Sequence, residues 1–244
     1  MKPLTTIILA AGKGTRMEGD LPKVLHRVGG IPMVAHVINT ARLIGSDRII
    51  VVIGYRSELV RSNLANLDVD FVVQKKQFGT GHAVLSAQEK SSREGTILVL
   101  SGDVPLLSKN TLEKLLQIHY SVRVAGAVLS GICADPTGYG RIVRSEDGAL
   151  EKIVEEKDAT IEEKKIQEVN AGIYTFQSQK LWKFLPKVKN LNKQNEYYLP
   201  DIFSLFRQAG EKMGICLMDD FSEASGVNTA QQLKKINEVY HKKS

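Results

Sequence analysis

Leu9-Ala10-Ala11-Gly12-Lys13-Gly14-Thr15-Arg16-Met17-Glu18-Gly19-Asp20-Leu21-Pro22-Lys23 directly follows an apolar, β-like run at 5–9. Glycines let a backbone approach a polyphosphate closely and turn its N–H groups toward it. Arg16 adds a fork that grips two oxygens, and Lys23 adds a point charge. Such a loop at the carboxyl end of a first strand predicts a nucleotide site in an open α/β sheet. Spacing removes two familiar classes. A dinucleotide fingerprint needs a small residue where Met17 stands, and a P-loop needs Ser or Thr after Gly12-Lys13, where Gly14 stands. On its own the glycine turn is equally compatible with plain strand-to-helix punctuation.

Working outward, short apolar runs at 5–9, 48–53, 69–74 and 96–100 alternate with helix-period segments at 31–43, 57–67, 80–90 and 109–119. Met33, Val34, Val37, Ile38 and Ala41 fall on one helical face. Strands alternating with helices predict right-handed βαβ units and a mostly parallel sheet. Ser108 or Asn110 is expected to cap the last of these helices. Beyond it, 124–133 reads as a strand and 135–140 as a turn. Segments 141–143 and 150–154 read as a hairpin, and 168–176 as a further strand. Helices at 181–185 and 198–209, a strand at 213–218 and a helix from about 229 complete the chain. The expected architecture is one α/β domain over 1–244 with a β-rich flap at about 134–170.

Composition sets the class of protein. The 244 residues are 43% hydrophobic and 25% charged, ordinary for a globular chain. No run approaches a membrane span, and 1–3 lacks the pattern of a secretory signal. Cys133 and Cys216 are isolated in apolar runs and read as buried thiols in a reducing cytoplasm. The net charge of +6 suits a polyanionic partner. The basic residues are not interleaved with the aromatics that stack bases, so a small anionic substrate fits better than a nucleic acid polymer.

Several polar residues close apolar runs. Asp103, after the 96–100 strand, stands where open sheets bind ligands and is a candidate Mg²⁺ ligand, with a turn or cap role equally compatible. Gln74 can read a base edge. Gly79 and Gly81 permit close backbone approach, and Thr80 can equally be a helix N-cap. His26, His36 and His82 read as structural. Gly140, Glu155, Asn170, Gly172 and Asn228 each have an ordinary structural reading, Glu155 within a charged run of the kind usually solvated.

Together these segments resemble the uridyltransferase half of the bacterial N-acetylglucosamine-1-phosphate uridyltransferase/glucosamine-1-phosphate acetyltransferase family. The matching blocks are 9–17, 21–26, 77–83, 102–107, 135–142, 153–160, 166–173, 196–202 and 226–228, almost the whole chain. The first block with Pro22-Lys23 is shared by many sugar-phosphate nucleotidyltransferases. Asp135-Pro136-Thr137-Gly138-Tyr139-Gly140-Arg141-Ile142, with Ile153-Val154-Glu155 and Glu168-Val169-Asn170, is far more specific. The resemblance implies a Rossmann-like nucleotidyltransferase fold and transfer of UMP from UTP to N-acetylglucosamine-1-phosphate. It implies Leu9, Ala10, Ala11 and Gly12 around the nucleotide, Gln74, Gly79 and Thr80 on uracil, and Arg16 and Lys23 on phosphates. It further implies Gly140, Glu155 and Asn170 on the sugar, with Asp103 and Asn228 sharing Mg²⁺. Ser101 departs from the family pattern, which carries an aromatic residue there. Full-length members continue into a left-handed β-helix that transfers acetyl groups and drives trimerisation. Acetyl transfer is therefore not expected of residues 1–244, which read as a stand-alone transferase or as one piece of the two-part protein. Another sugar-1-phosphate, thymine as the base, and a non-catalytic nucleotide-sugar binder stay open as alternatives.

Overall fold

The computed structural model describes residues 3–14, 17 and 19–243. Arg16, one of the expected phosphate ligands, lies outside the described residues. The strands are β1 (Leu4–Ala10), β2 (Arg27–Val28), β3 (Ile31–Pro32), β4 (Arg48–Ile53), β5 (Asp70–Val73), β6 (Thr96–Ser101), β7 (Gly126–Ile132), β8 (Arg141–Arg144), β9 (Leu150–Val154), β10 (Glu168–Gln177) and β11 (Met213–Leu217). The helices are α1 (Met33–Leu43), α2 (Ser57–Asn63), α3 (Thr80–Ser86), α4 (Lys109–Ser121), α5 (Ile161–Lys164), α6 (Ser178–Phe184), α7 (Asp201–Gln208) and α8 (Ala230–Lys243).

The main sheet runs β11-β7-β10-β6-β1-β4-β5, and the β8–β9 hairpin joins it through β10. β1 pairs in parallel with β4 and β6, and β4 with β5. β10 runs antiparallel to both β6 and β7. Because helices cover both faces, the central strands are apolar throughout rather than alternating. Ile8, Val51 and Leu98 face a core shared with Val34, Val37 and Leu112. Ile7, Ile50 and Val99 face the other, shared with Val84, Leu181 and Phe203.

The expected α/β order is present, with local differences. The 31–43 segment opens as β3 because Gly29 and Gly30 both adopt positive φ and form a two-residue hairpin turn with β2. The helix then starts after Pro32. The 80–90 segment is helical to Ser86 and closes with a 3₁₀ turn at Gln88–Lys90. The 198–209 segment becomes helical at Asp201, after Pro200, and the expected β-rich flap contains a helical turn at 161–164. Ser108 caps α4, accepting from the Thr111 N–H at 3.2 Å. Cys216 is buried as expected, but Cys133 is only half-buried, because it follows the exposed end of β7 and its thiol donates to the Asp135 carbonyl at 3.1 Å. Among the described residues no helix is long and apolar enough to cross a membrane.

Candidate active site

The carboxyl ends of β1, β4, β5 and β6 share one edge of the sheet. The reversed β10 brings its amino-terminal half, with Asn170 and Gly172, to that same edge. Its pairing with β7 shifts register between Asn170 and Tyr174, and Gly172 has φ +72°. Such an irregularity re-aims side chains at a rim. Here it lets the Asn170 amide donate to the Tyr174 hydroxyl at 2.7 Å and accept from the Gly172 N–H at 2.9 Å.

At the β1 end, Ala10 and Ala11 are buried and Leu9 is half-buried. The Leu9 carbonyl accepts from Gly102 N–H at 2.9 Å, tying the loops after β1 and β6 together. The Ala11 carbonyl accepts from Tyr55 N–H at 3.1 Å and from the Gln77 amide at 2.6 Å. A Cβ on Gly12 would meet nothing within 4 Å, so open space faces this position. Gly14 is different. Its φ is +66°, and a Cβ there would fall 2.6 Å from Lys23 Cβ, so glycine is what lets the lysine pack.

Lys23, in a single 3₁₀ turn after Pro22, joins two distant segments. Its ammonium donates to Asp103 Oδ2 and, at 2.9 Å, to Asn228 Oδ1. The Val227 N–H donates to the Asp103 carbonyl at 3.1 Å, which fixes the last segment against the loop after β6. Asn228 is held in turn by a reciprocal cap at the start of α8. Gln232 Oε1 accepts from the N–H groups of Asn228 and Thr229, while Thr229 Oγ1 accepts from Gln232 N–H. Two hard oxygen donors, one carboxylate and one amide, thus converge on a single cation. That donor set fits Mg²⁺, which takes few protein ligands and fills its octahedron with phosphate oxygens and water. Among the described residues no group of three or more His, Cys, Asp or Glu could hold a metal unaided, so an ion here would depend on substrate oxygens.

Gln74 is buried after β5, its amide nitrogen donating to the Gly79 carbonyl at 3.2 Å and facing His82 Nδ1 at 2.9 Å. His82 thus braces Gln74, and His36 Nε2 meets the Val28 carbonyl at 2.8 Å. The close approach that glycine permits at 79 is to the chain itself. Gly79 has φ +102°, and a Cβ would fall 2.7 Å from the Tyr197 carbonyl. Gly81 N–H donates to that carbonyl at 2.7 Å. Thr80 is not the N-cap of α3. Gly79 holds that position, and the Thr80 hydroxyl accepts from Leu199 N–H at 3.0 Å.

Gly140, Glu155 and Asn170 come together at the mouth of the β8–β9 hairpin. A Cβ on Gly140 would fall 3.2 Å from Glu155 Oε1 and 3.4 Å from Asn170 Cβ, and Asn170 N–H donates to the Gly140 carbonyl at 2.8 Å. In the charged run at 155–158 the three carboxylates are half-buried and only Lys157 lies in solvent. Burial pushes the Glu155 carboxyl up to about 7, with further repulsion from Asp201, Asp158 and Glu196. Burial, then Asp158, pushes Asp201 up to about 6. The sequence pattern does not single out Asp158, Glu196, Asp201 or Tyr174. Asp158, Glu196 and Asp201 fall inside blocks of the resemblance, which is the one available signal, and Tyr174 lies just past one.

Residues 6–165 match the MobA-like NTP transferase domain. The chain belongs to that family. This NTP transferase is also 43% identical over 240 residues to the "Bifunctional protein GlmU" of Alkaliphilus metalliredigens, covering 98% of the chain and 52% of the relative. It is 43% identical over 234 residues to that of Streptococcus agalactiae serotype V, covering 96% and 51%. The chain therefore spans about half the length of the curated relatives it matches, their N-terminal ~240 residues. Among solved structures, a UDP-glucose pyrophosphorylase complexed with UDP-glucose superposes with TM-score 0.78 at 18% identity, covering 99% of this chain and 100% of that one. A nucleotidyl transferase from Methanothermobacter thermautotroptrophicus gives 0.69 at 16%, covering 99% of each. At those identities the likeness concerns the fold, which is the Rossmann-like nucleotidyltransferase fold.

Proposed function

We propose that this transferase moves UMP from UTP to N-acetylglucosamine-1-phosphate, releasing pyrophosphate and forming UDP-N-acetylglucosamine. The observation that carries the reading is the meeting of Lys23, packed on Gly14 of the first loop, with Asp103 and Asn228. The 43% identity to the GlmU relatives and the Gly140–Glu155–Asn170 recess favour this sugar over others.

In the proposed reaction an oxygen of the sugar phosphate attacks the α-phosphorus of UTP in line. The new phosphorus–oxygen bond replaces the one to the bridging oxygen, and that electron pair leaves on pyrophosphate. No general base is needed, because a phosphate monoester loses its second proton near pH ~6 and is already anionic at pH 7. His26, half-buried and held below its ordinary range by desolvation, is accordingly left out of the chemistry. The obstacle is mutual repulsion of two polyanions. Lys23 supplies positive charge against phosphate oxygens, and Arg16 is assigned the same work. Mg²⁺ on Asp103 and Asn228 would add Lewis-acid neutralisation of the phosphate charge. Gln74, Gly79 and Thr80 are assigned to uracil, Leu9 to Gly12 to the nucleotide backbone, and Gly140, Glu155 and Asn170 to the sugar. The unpaired cysteines fit a reducing cytoplasm, and UDP-N-acetylglucosamine is a cell-wall (peptidoglycan) precursor.

The test is pyrophosphate release across a matrix of nucleoside triphosphates and sugar-1-phosphates with Mg²⁺. Preference for UTP with N-acetylglucosamine-1-phosphate is expected. Preference for another pair would redirect the substrate assignment, and binding without release from any pair would make this a nucleotide-sugar binding protein.

A further inference from the structure

Arg141 opens β8 and is the bulkiest of the fully buried side chains among the described residues, 1% exposed. A guanidinium stays charged at every working pH, so burying one demands partners. Its Nη1 donates to the Tyr139 carbonyl. Its Nη2 donates to Glu156 Oε2 at 2.6 Å and to the Lys164 carbonyl at 3.4 Å. Glu156 Oε2 accepts as well from Gly138 N–H at 3.4 Å, and Lys164 Nζ approaches Glu156 Oε1 at 3.8 Å. One cation therefore ties the 136–140 turn, the residues after β9 and the turn of α5. Its Nε is closed from solvent with no partner, so the group is kept despite an unmet donor.

What Arg141 ties down are the chain neighbours of two assigned sugar contacts. Gly140 precedes Arg141, and Glu155 precedes Glu156. Gly140 and Glu155 sit at the separation where one added carbon would touch the carboxylate. We propose that Arg141 is a positioning residue for the sugar phosphate. It holds Gly140 and Glu155 at their working separation and supplies the favourable positive charge that acts on Glu155. This rests on the reading of Gly140, Glu155 and Asn170 as the sugar subsite.

The electrostatics around Glu155 make the inference separable from a purely structural role. The groups facing it are Asp158 in the following turn, Glu196 in the segment before α7, Asp201 at the start of α7 and Arg141 from β8. Tyr174 of β10 and Tyr198 feel its charge in turn. Three carboxylates disfavour the ionised form, and Arg141 favours it. Removing the guanidinium should move the Glu155 titration upward in pH. Removing the carboxylate of Glu156, which neutralises Arg141, should not.

The experiment compares wild type, Arg141→Met, Arg141→Lys and Glu156→Gln. Arg141→Met should raise KM for N-acetylglucosamine-1-phosphate ~10-fold or more, change KM for UTP less than ~2-fold, and move the pH dependence of the sugar KM upward. Arg141→Lys, keeping the charge but only part of the network, should recover the pH profile more than the KM. Glu156→Gln should raise the sugar KM without the upward pH movement. A ¹³C-carboxyl NMR titration of Glu155 gives the same electrostatic comparison without any substrate, and circular dichroism reports folding of each variant. Unchanged sugar KM in the folded variants, or a Glu155 titration that stays put in Arg141→Met, overturns the inference. If Arg141→Met does not fold, Arg141→Lys and Glu156→Gln carry the test on the same criteria. A wild type that turns over no N-acetylglucosamine-1-phosphate overturns the functional reading instead, while the titration still decides whether Arg141 governs Glu155.

Discussion

Lys23, Asp103 and Asn228 meet as a cation and two oxygen donors, the lysine and asparagine 205 residues apart in the chain. Gly140, Glu155 and Asn170 meet through one hairpin and its neighbour strand, with the carboxylate crowded by others rather than paired. The first arrangement is a charge device assembled from distant loops, and it needs the whole sheet to exist. The second is a desolvated recess whose parts are local and whose precision comes from backbone and burial. A reaction between two polyanions calls for the first kind of construction where charge develops. Recognition of a neutral ring calls for the second.

The sharpest way to break that contrast is at the charged end. Asp103→Ala and Asn228→Ala should each lower kcat at least ~10²-fold, the scale of one key electrostatic contact in a transition state. The sugar KM should change far less than turnover. Near-normal Mg²⁺-dependent turnover in either variant would remove that residue from the phosphate end.

At the sugar end the expected effect is smaller and falls on binding. Glu155→Gln keeps the shape and deletes the titration. It should raise the sugar KM roughly tenfold, the scale of one hydrogen bond to a charged group. It should also flatten any pH dependence of that KM near 7, where burial has placed this carboxyl. Above that region the wild-type group is ionised, and below it protonated, so wild type and variant should converge as the pH falls. A pH-dependent sugar KM that survives in Glu155→Gln would assign the titration to another group, with Asp201 next in line.

Legibility in the amino-acid sequence follows the same divide. The parallel core is readable because both of its faces are buried, so Thr5 to Leu9 and Arg48 to Ile53 stand out as apolar runs. The β2–β3 hairpin escapes notice because two-residue strands leave no periodic trace, although Gly29-Gly30 marks the turn. Nothing in the spacing of Lys23, Asp103 and Asn228 says that they touch, and only the family resemblance groups them. Glu155 is readable as a charge but not as a buried one. The partial burial of the carboxylates at 155–158 goes with Ala159 packing and with Lys193 N–H donating to Asp158 at 2.9 Å, contacts that local sequence does not encode. Glycine at 79 is readable as a close backbone approach, but its partner, the Tyr197 carbonyl, is not.

That glycine joins the segment 77–81, with the assigned uracil contacts Gly79 and Thr80, to 196–199, where Glu196 faces Glu155. Gly79→Ala forces a glycine-only conformation onto alanine, at a cost of about 1–3 kcal/mol, and drives Cβ into the Tyr197 carbonyl. Tm should fall by about 2–4 °C per kcal/mol for a chain of this length. KM for both UTP and the sugar phosphate should rise together, unlike the loss of kcat expected at Asp103 and the sugar-only KM change expected at Glu155. A rise confined to one substrate would show that the uracil segment and the sugar contacts are not joined here.

The smallest effect on turnover is expected at the opposite edge of the sheet, and there the comparison has its control. His119, near the end of α4, is buried. Desolvation pushes it down to about 4, and its Nδ1 has no partner. The unfolded chain binds this proton near pH ~6.5 and the folded one near 4, so its contribution is fully present above ~6.5. It is lost as the pH falls toward 4, by at most ~1.4 kcal/mol per pH unit. Glu155 and Asp201 act with the opposite sign, because their folded forms hold protons more tightly than free carboxyls do. The total curve therefore mixes the two edges, and only a difference isolates His119. Denaturant unfolding of wild type and His119→Phe, which keeps a ring against Tyr120, should diverge between pH 4 and 6.5, with wild type losing more stability on acidification. Turnover at pH 8 should stay within twofold. Parallel stability curves would mean that His119 takes up its proton as readily folded as unfolded, and a fall in turnover would mean that the back edge of the sheet is coupled to the site at the front.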